Sequence, residues 1–364
     1  MAKRRTKGEG SIWYDSKNDR WMAKLTLPNK KRRTKSGKTK KEVLDWLTEQ
    51  RNKVRKGTFV TDENVKLGDF ITSYMENVAV HNLRPRTYLA HAGYVRNHIV
   101  PELGEIKLES LRPDQVQAFY TRKLESGLSP RTVQYIHSIL HKTLDQALRW
   151  GMVTRNVCDL VDAPRPVQKA PEIWTAEQIK IFLEAVKDHK YYPIYVMAIY
   201  TGMRQSEILG LRKIDIDLDK GVVHVQQQVQ WVRGEGFVVM DVKTEKSKRP
   251  IALPETALEV MREHLKGVQG ELVFTASTGN PVYSNSLYRH FKNTIKKLDL
   301  PDVTFHSLRH FHATALLIAG VHPKVVQERL GHSQISTTLD IYSHTVPGLG
   351  KEAAEKFDQM LEAV

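Results

Sequence analysis

Six side chains in four short stretches have types that could act together on a phosphodiester: Arg204, Lys243, His306, Arg309, His332 and Tyr342. Arg204 lies between an apolar helix that Gly202 should end and a following helix that carries Ser206 and Glu207. Its guanidinium fork would sit beside free backbone N–H groups, and both suit phosphate. Lys243 falls in a basic β-turn, 241–249, between two expected strands, from which a lysine can reach away from the sheet into a ligand. Lys246 and Lys248 share that turn. His306 and Arg309, three residues apart at the start of a helix running to Gly320, share one helical face. His332 directly follows a helix opened by His322-Pro323 and ended by Gly331. A short helix then presents Tyr342, the only tyrosine after Tyr288. Taken singly, each has a plainer reading: a solvated arginine, a solvated basic hairpin, a packed aromatic.

Taken together, two arginines, a lysine, two histidines and a tyrosine, with no acidic cluster to bind Mg²⁺, fit phosphoryl transfer without metal. Two guanidiniums bind non-bridging oxygens and stabilise the charge that grows in the transition state. A tyrosine hydroxyl, with an ordinary pKa of about 10, needs a neighbouring base and nearby cations to lose its proton. A lysine or histidine can protonate the leaving 5′ oxygen. The covalent phosphotyrosine so formed keeps the phosphodiester energy and needs no ATP. A metal centre is the rival: His306 and His310 have the i, i+4 spacing of zinc helices and His312 is close, but the glutamate of H-E-x-x-H is missing.

These residues must be held by the elements around them. The chain has 364 residues, 40% hydrophobic and 27% charged, which excludes a disordered or collagen-like protein and suggests two or three domains. One cysteine, Cys158, excludes a disulfide framework and a Cys-based zinc cluster. The net charge of +15 is uneven: residues 1–60 hold 19 Lys and Arg against 6 Asp and Glu, and the other 304 residues hold 37 against 35. Such asymmetry points to a polyanion partner. The basic segment is patterned as strands at 11–14, 21–27 and 31–35, and Thr39-Lys40-Lys41-Glu42 caps a helix with Val43, Leu44, Trp46 and Leu47 on its apolar stripe. A twisted basic sheet of this kind can enter a major groove.

From Val65 to Val161 the spacing predicts four or five helices, with Ser129-Pro130 as N-cap and first helical residue of the last. Residues 163–171, with three prolines, form the clearest linker. The final region opens with helices, passes through strands expected at 222–231, 237–242 and 249–253, and returns to helices. The expected class is α+β, mainly α with small β-sheets, in three domains at 1–57, 63–165 and 171–364. The last helix, with Ala353, Phe357, Met360, Leu361 and Val364 on its stripe, packs either within the chain or on a neighbouring subunit.

The ordered set R…K…H-x-x-R…L-G-H…Y resembles the tyrosine recombinases, and within them the phage and conjugative-transposon integrases. TGMRQSEILGLR, VKTEKSKRPIALP, HSLRHFHATALLIAG and LGHSQISTTLDIYSH each resemble a family box. The resemblance implies that Arg204 and Arg309 clamp the scissile phosphate and Lys243 is the general acid for the leaving 5′ hydroxyl. It implies that His306 is the acid/base toward the nucleophile, that His332 hydrogen-bonds the phosphate and that Tyr342 attacks to leave a 3′-phosphotyrosyl link. Glu207 would support the pocket. The front of the chain would be an arm-type DNA-binding domain, with Lys31, Arg32, Arg33 and Lys35 on DNA, followed by a core-binding helical domain and a catalytic domain. Asn156-Val157 departs from the Asn-Pro of many relatives.

No cofactor and no metal are implied. The implied partners are double-stranded DNA at core-type and arm-type attachment sites, a homotetramer on that DNA, an excisionase and a host DNA-bending protein. The implied work is integration and excision of a mobile element such as a viral genome, in the cytoplasm of a bacterial cell and at its nucleoid. No run of 18 apolar residues predicts a membrane span, and MAKRRTKGEG has no apolar core of a secretory signal. The alternatives are a type IB-like topoisomerase, against which the separate basic segment argues, and a non-catalytic DNA-binding regulator. Deleting residues 1–60 should greatly weaken arm-site binding and flatten its salt dependence while sparing cleavage of core-site DNA. Unchanged arm-site affinity in a titration across salt concentrations would overturn the two-site reading.

Overall fold

The computed structural model describes residues 10–26, 32–55, 64–166, 172–242, 247–336, 338–339, 354, 357–359 and 361–362. The chain divides into two compact units, Met1–Gln168 and Lys169–Val364.

The first unit begins with an antiparallel sheet of β1 (Ser11–Asp15), β2 (Arg20–Thr26) and β3 (Arg32–Gly37), backed by α1 (Lys40–Arg55). Asp15 makes the first turn by accepting from the Lys17 N–H at 3.2 Å and from the Asn18 amide at 2.9 Å. Alternation along β2 sends Ala23 and Leu25 onto Val43 and Leu47 of α1, and these four side chains form a small closed core. The expected cap forms at Thr39, whose hydroxyl accepts from the Glu42 N–H at 3.3 Å, while the Glu42 carboxylate accepts one residue earlier than expected, from Lys38 at 3.2 Å.

A helical bundle follows with its own core. It comprises α2 (Leu67–Tyr74), a π-helical turn at Met75–Ala79, α3 (Val80–Asn82), α4 (Pro85–Tyr94), a second π-helical turn at Val95–Ile99, α5 (Val100–Leu103), α6 (Pro113–Glu125) and α7 (Pro130–Arg149). Ser129 caps α7 through its hydroxyl, which accepts from Thr132 N–H at 3.2 Å, and Pro130 takes the first helical position, where its missing N–H costs nothing. Val133, Ile136, Leu140, Leu144 and Ala147 line its buried face.

The second unit is built around α9 (Tyr192–Thr201), which follows α8 (Ala176–Ala185). Residues 194–199 of α9 are buried on all sides, so the helix has no solvent stripe and must be central. Phe182, Phe291 and Trp174 form an aromatic cluster with its Tyr195, and the Trp174 indole N–H donates to Pro301 O at 3.0 Å. After α10 (Gln205–Leu209) come β4 (Ile216–Asp217), β5 (Val222–Val225), β6 (Gln227–Val232), β7 (Gly236–Asp241) and β8 (Arg249–Ala252). Then follow α11 (Glu255–Lys266), α12 (Ser284–Lys297), α13 (Phe305–Ile318) and α14 (Pro323–Leu330). Among the described residues, no helix is long and apolar enough to cross a membrane.

Two sequence expectations are corrected here. The single strand expected at 222–231 is two strands in two sheets: β5 pairs with β4 and β8, and β6 pairs with β7, the chain changing sheets at Gln226. The turn at 241–249 is therefore not the loop of a hairpin, because β7 and β8, which flank it, belong to different sheets. A continuous run of β-formers shows strand propensity, whereas sheet membership depends on distant partners. At the other end, Phe357 and Leu361 expose 58% and 57% of their surface.

Gly202 ends α9 with φ of +64°, and a β-carbon there would meet Leu330 Cδ2 at 2.6 Å and His312 Cδ2 at 2.7 Å. Gly202→Ala should cost about 1–2 kcal/mol for the left-handed backbone and about 1–3 kcal/mol for the overlap. Urea unfolding monitored by far-ultraviolet dichroism measures the loss, and an unchanged midpoint would contradict the packing described.

Candidate active site

Three arginines reach one point from three elements. Arg204 stands immediately before α10, Arg249 opens β8, and Arg309 is on the first turn of α13. Their common target is the end of α14. Arg249 Nε donates to Arg329 O at 2.7 Å, Arg309 Nη2 to Leu330 O at 2.6 Å, and Arg204 Nη2 to Gly331 O at 3.4 Å. Three successive carbonyls thus each hold one guanidinium. These carbonyls are free because they lie at a helix C-terminus, where the helix dipole is also negative. Gly331, with φ of +67°, ends the helix, and a β-carbon on it would lie 3.1 Å from Arg249 Cδ and Nη1. Arg309 Nη1 also donates to Gly202 O at 2.8 Å, at the end of α9.

Glu207, 2% exposed, is the carboxylate in this cluster. Its Oε1 accepts from Arg204 Nη1 at 2.7 Å and its Oε2 from Arg249 Nη2 at 3.0 Å and from the Arg204 backbone N–H at 3.0 Å. Burial pushes its carboxyl upward, but the Arg249 and Arg204 guanidiniums and these hydrogen bonds outweigh that and hold it below the ordinary carboxylate range. Arg309 is 3% exposed, and burial followed by the Arg204 charge lowers its pKa to about 9. It remains a cation at neutral pH. The three guanidiniums and one carboxylate leave two positive charges uncompensated among the described residues.

The histidines divide into two groups. His332 follows the α14 cap; its Nδ1 is 2.9 Å from Thr338 Oγ1, and its backbone N–H and carbonyl are both held by Gln327. Burial, then Arg309 and Arg204, lower its pKa to about 3. His306 is exposed at the start of α13, its ring perpendicular to that of His310 with centroids 4.9 Å apart. Desolvation by packed neighbours, then His310, Arg309 and Arg204, lower its pKa to about 4. His312 lies apart from both: its Nδ1 pairs with Ile199 O at 2.9 Å and its Nε2 with Arg329 Nε at 3.0 Å. Both its ring nitrogens are therefore committed, and the three-histidine metal reading loses its third member.

The structure thus brings Arg204, Glu207, Arg309 and His332 together, with His306 at the edge. Lys243, Tyr342 and Lys31 lie outside the described residues. Sequence reasoning gave Arg249 no role. Its signal was its place as a buried-face residue at the start of a strand, which pattern alone does not separate from a solvated arginine. On the small sheet, Arg33 faces α1 and donates to Gln50 Oε1 at 3.0 Å, and Lys35 shares that side, whereas Arg32 is on the opposite, outward face. Arg20 and Lys24, which sequence reasoning did not single out, share the outward face with Arg32 and Trp13.

A catalytic-type unit of α-helices and small antiparallel sheets, with arginines and neutral histidines around a cationic pocket, defines a class of DNA-processing proteins, and comparison with known proteins identifies it. Residues 172–347 match the phage integrase family, and residues 66–124 match its N-terminal SAM-like domain. A XerC-like tyrosine recombinase of Caldanaerobacter subterraneus subsp. tengcongensis is 30% identical, over 89% of this chain and 90% of that protein. The ICEBs1 integrase of Bacillus subtilis is 26% identical, over 89% of this chain and 91% of that protein. The Tn1549 transposon integrase, solved with a circular intermediate DNA, shares the fold with a TM-score of 0.73 at 22% identity, over 80% of this chain and 99% of that one. A lambda integrase dimer bound to a core site gives a TM-score of 0.62 at 17% identity, over 93% of this chain and 96% of that one. The chain belongs to the phage integrase family of tyrosine recombinases. It is a site-specific DNA recombinase.

Unfolded histidine binds a proton near pH 6.5, whereas folded His312 does so only near 4 and His332 near 3. The unfolded chain therefore takes up more protons as pH falls through this window, and stability drops. Urea unfolding should show a loss between pH 6.5 and 4 of up to about 3 kcal/mol from His312 alone. Imidazole NMR shifts should keep both residues neutral at pH 5, and ordinary titration near 6.5 would refute the burial described.

Proposed function

We propose that this chain cleaves and rejoins DNA at attachment sites of a mobile element, with Tyr342 as nucleophile. The observation that carries the assignment is the surplus of guanidinium charge: Arg204 and Arg309 converge with a single buried carboxylate, and a phosphodiester anion supplies the charge the pocket lacks. The Tyr342 oxygen attacks phosphorus and the bond to the 5′ oxygen breaks. The leaving oxygen takes a proton from Lys243. The result is a 3′-phosphotyrosyl link and a free 5′ hydroxyl, and attack by the 5′ hydroxyl of the exchanged strand reverses the step. No bond energy is lost to hydrolysis, so the cycle runs without ATP.

The histidine environments fit these roles. A neutral His306 at the pocket edge takes the tyrosine proton, and the arriving phosphate raises its basicity by offsetting Arg309 and Arg204. His332, with Nδ1 beside the Thr338 hydroxyl and no partner at Nε2 among the described residues, donates from Nε2 to a phosphate oxygen. Glu207 keeps Arg204 and Arg249 in place and touches no reacting atom. The same geometry supplies transition-state charge stabilisation from guanidiniums, the part a metal plays elsewhere.

In this reading, residues 1–57 bind arm-type sites, 63–165 grip core sites and 171–364 perform catalysis. Within the arm unit, the outward face of Arg20, Lys24 and Arg32 with Trp13 suits a groove better than the run of Lys31, Arg32, Arg33 and Lys35, because Arg33 is turned toward α1. Four copies exchange strands through a Holliday junction, an excisionase and a host bending protein set direction, and the work takes place on DNA in the bacterial cytoplasm. The exposed Phe357 and Leu361 fit docking of the last helix on a neighbouring copy.

The test is covalent trapping on a nicked core-site duplex from the protein's own element, with chelator present and the 5′ product free to diffuse away. Wild type should give a shifted band on a denaturing gel, and Tyr342→Phe should give none while still binding the DNA. Recombination that survives Tyr342→Phe would overturn the mechanism. No band from wild type would favour the non-catalytic regulator.

A further inference from the structure

The end of α14 can aim three guanidiniums only if it is itself held, and one side chain does that from the same residue that begins the carbonyl series. The Arg329 side chain turns away from the pocket. Its Nη2 donates to Tyr200 O at 3.1 Å, at the end of α9, and to Ala252 O at 3.0 Å, at the end of β8. Its Nε donates to His312 Nε2 at 3.0 Å, on α13. Arg329 therefore ties α14 to three elements, and two of them, β8 and α13, carry Arg249 and Arg309. Its backbone carbonyl meanwhile accepts from Arg249 Nε at 2.7 Å. One residue anchors the turn with its side chain and orients an active-site arginine with its main chain.

His312 is built for this contact. It is 7% exposed, and its Nδ1 faces Ile199 O at 2.9 Å, an atom that can only accept. The Nδ1 must then carry the ring proton, which leaves Nε2 as a lone-pair acceptor pointed at the Arg329 guanidinium. The donor to acceptor direction is fixed by the carbonyl behind the ring.

We infer that His312 and Arg329 form a positioning pair for strand cleavage, in which His312 Nε2 orients the Arg329 fork and Arg329 fixes the last turn of α14, so that its carbonyls hold Arg204, Arg249 and Arg309 against the scissile phosphate. Neither residue touches DNA or a reacting atom. The inference rests on the reading of Arg204 and Arg309 as the phosphate clamp. It assigns to this pair the geometry of that clamp rather than its charge.

A double-mutant cycle tests it in the full-length protein. Arg329→Leu, His312→Phe, the double variant and His312→Gln are compared for the single-turnover rate of Tyr342–DNA adduct formation at saturating core-site DNA, and for binding of the same DNA. A clamp displaced by a fraction of an ångström should slow cleavage by about 10- to 100-fold while changing DNA affinity much less. The double variant should be no slower than the worse single, since each single removes the same contact. His312→Gln, whose amide oxygen can accept where Nε2 does, should recover most of the rate lost in His312→Phe. Multiplying effects in the double variant, a glutamine variant as slow as phenylalanine, or full-rate cleavage in Arg329→Leu would each overturn the pairing. Should Arg329→Leu fail to fold, Arg329→Lys keeps the charge without the fork and should show the same rate loss.

A DNA-free measurement separates this pair from the cleavage mechanism. The ¹⁵N shifts of His312 should report a protonated Nδ1 in both proteins, and an Nε2 that accepts a hydrogen bond in wild type but carries a free lone pair in the Arg329 variant. An Nε2 shift that does not respond to Arg329 overturns the pair whatever the adduct assay gives. An adduct missing in wild type overturns the phosphate-clamp reading and the positioning role together, while the Nε2 result then stands for the contact alone.

Discussion

Three guanidiniums taken largely out of water must be satisfied before they can bind anything else, and that requirement organises the second unit. Desolvating a charge costs several kcal/mol even after relaxation. Here the compensation comes from two sources. Glu207 supplies one full negative charge between Arg204 and Arg249. The freed carbonyls at the ends of α9 and α14 supply partial ones, to Arg309 at Gly202 and Leu330 and to Arg249 at Arg329. Because carbonyl dipoles neutralise less than a carboxylate would, the arginines are held in place without being fully paid for in charge, and a net attraction for an anion remains. A second acidic residue would stabilise the apo protein and weaken that attraction.

Using helix ends as acceptors constrains the backbone. A helix must stop at a defined residue for its last carbonyls to be available, and both α9 and α14 stop on a glycine in the left-handed region, Gly202 and Gly331. Both glycines are also packed against the cluster, Gly202 by Leu330 and His312 and Gly331 by Arg249. Absence of a side chain serves two purposes at once: it allows the φ angle and it allows the arginine to approach. The buried α9 gives this arrangement a rigid base, since Phe182 and Phe291 interlock with its Tyr195.

The histidines depend on the same charge field. Desolvation by packed neighbours and the adjacent guanidiniums keep His332 and His306 neutral, so each offers a lone pair or a neutral N–H. In the proposed mechanism, an entering phosphate would offset those guanidiniums and shift both imidazoles toward protonation. The small N-terminal sheet obeys a simpler rule. Its period-two alternation commits one face to α1 and leaves Arg20, Lys24 and Arg32 together on the other.

Local chemistry was legible in the sequence. The caps at Thr39 and Ser129, the helix ends at Gly202 and Gly331, the α+β class and the order of the arginine, histidine and tyrosine stretches all follow from residue type and short spacing, because the interactions involved span four residues or fewer. What required the folded chain is every relation between distant segments. The run 222–231 reads as one strand until β8 and β7 claim its halves for different sheets. Arg249 reads as one more basic residue after a lysine-rich turn until β5 pairing turns it inward onto Glu207, 42 positions earlier. His312 reads as a third member of a histidine cluster until helix packing gives its two nitrogens to Ile199 and Arg329. A sequence states which groups need partners; only the packing of elements decides which partners come within reach, because hydrogen bonds and ion pairs act over about 3 Å while the segments that supply them are separated by tens to more than a hundred residues.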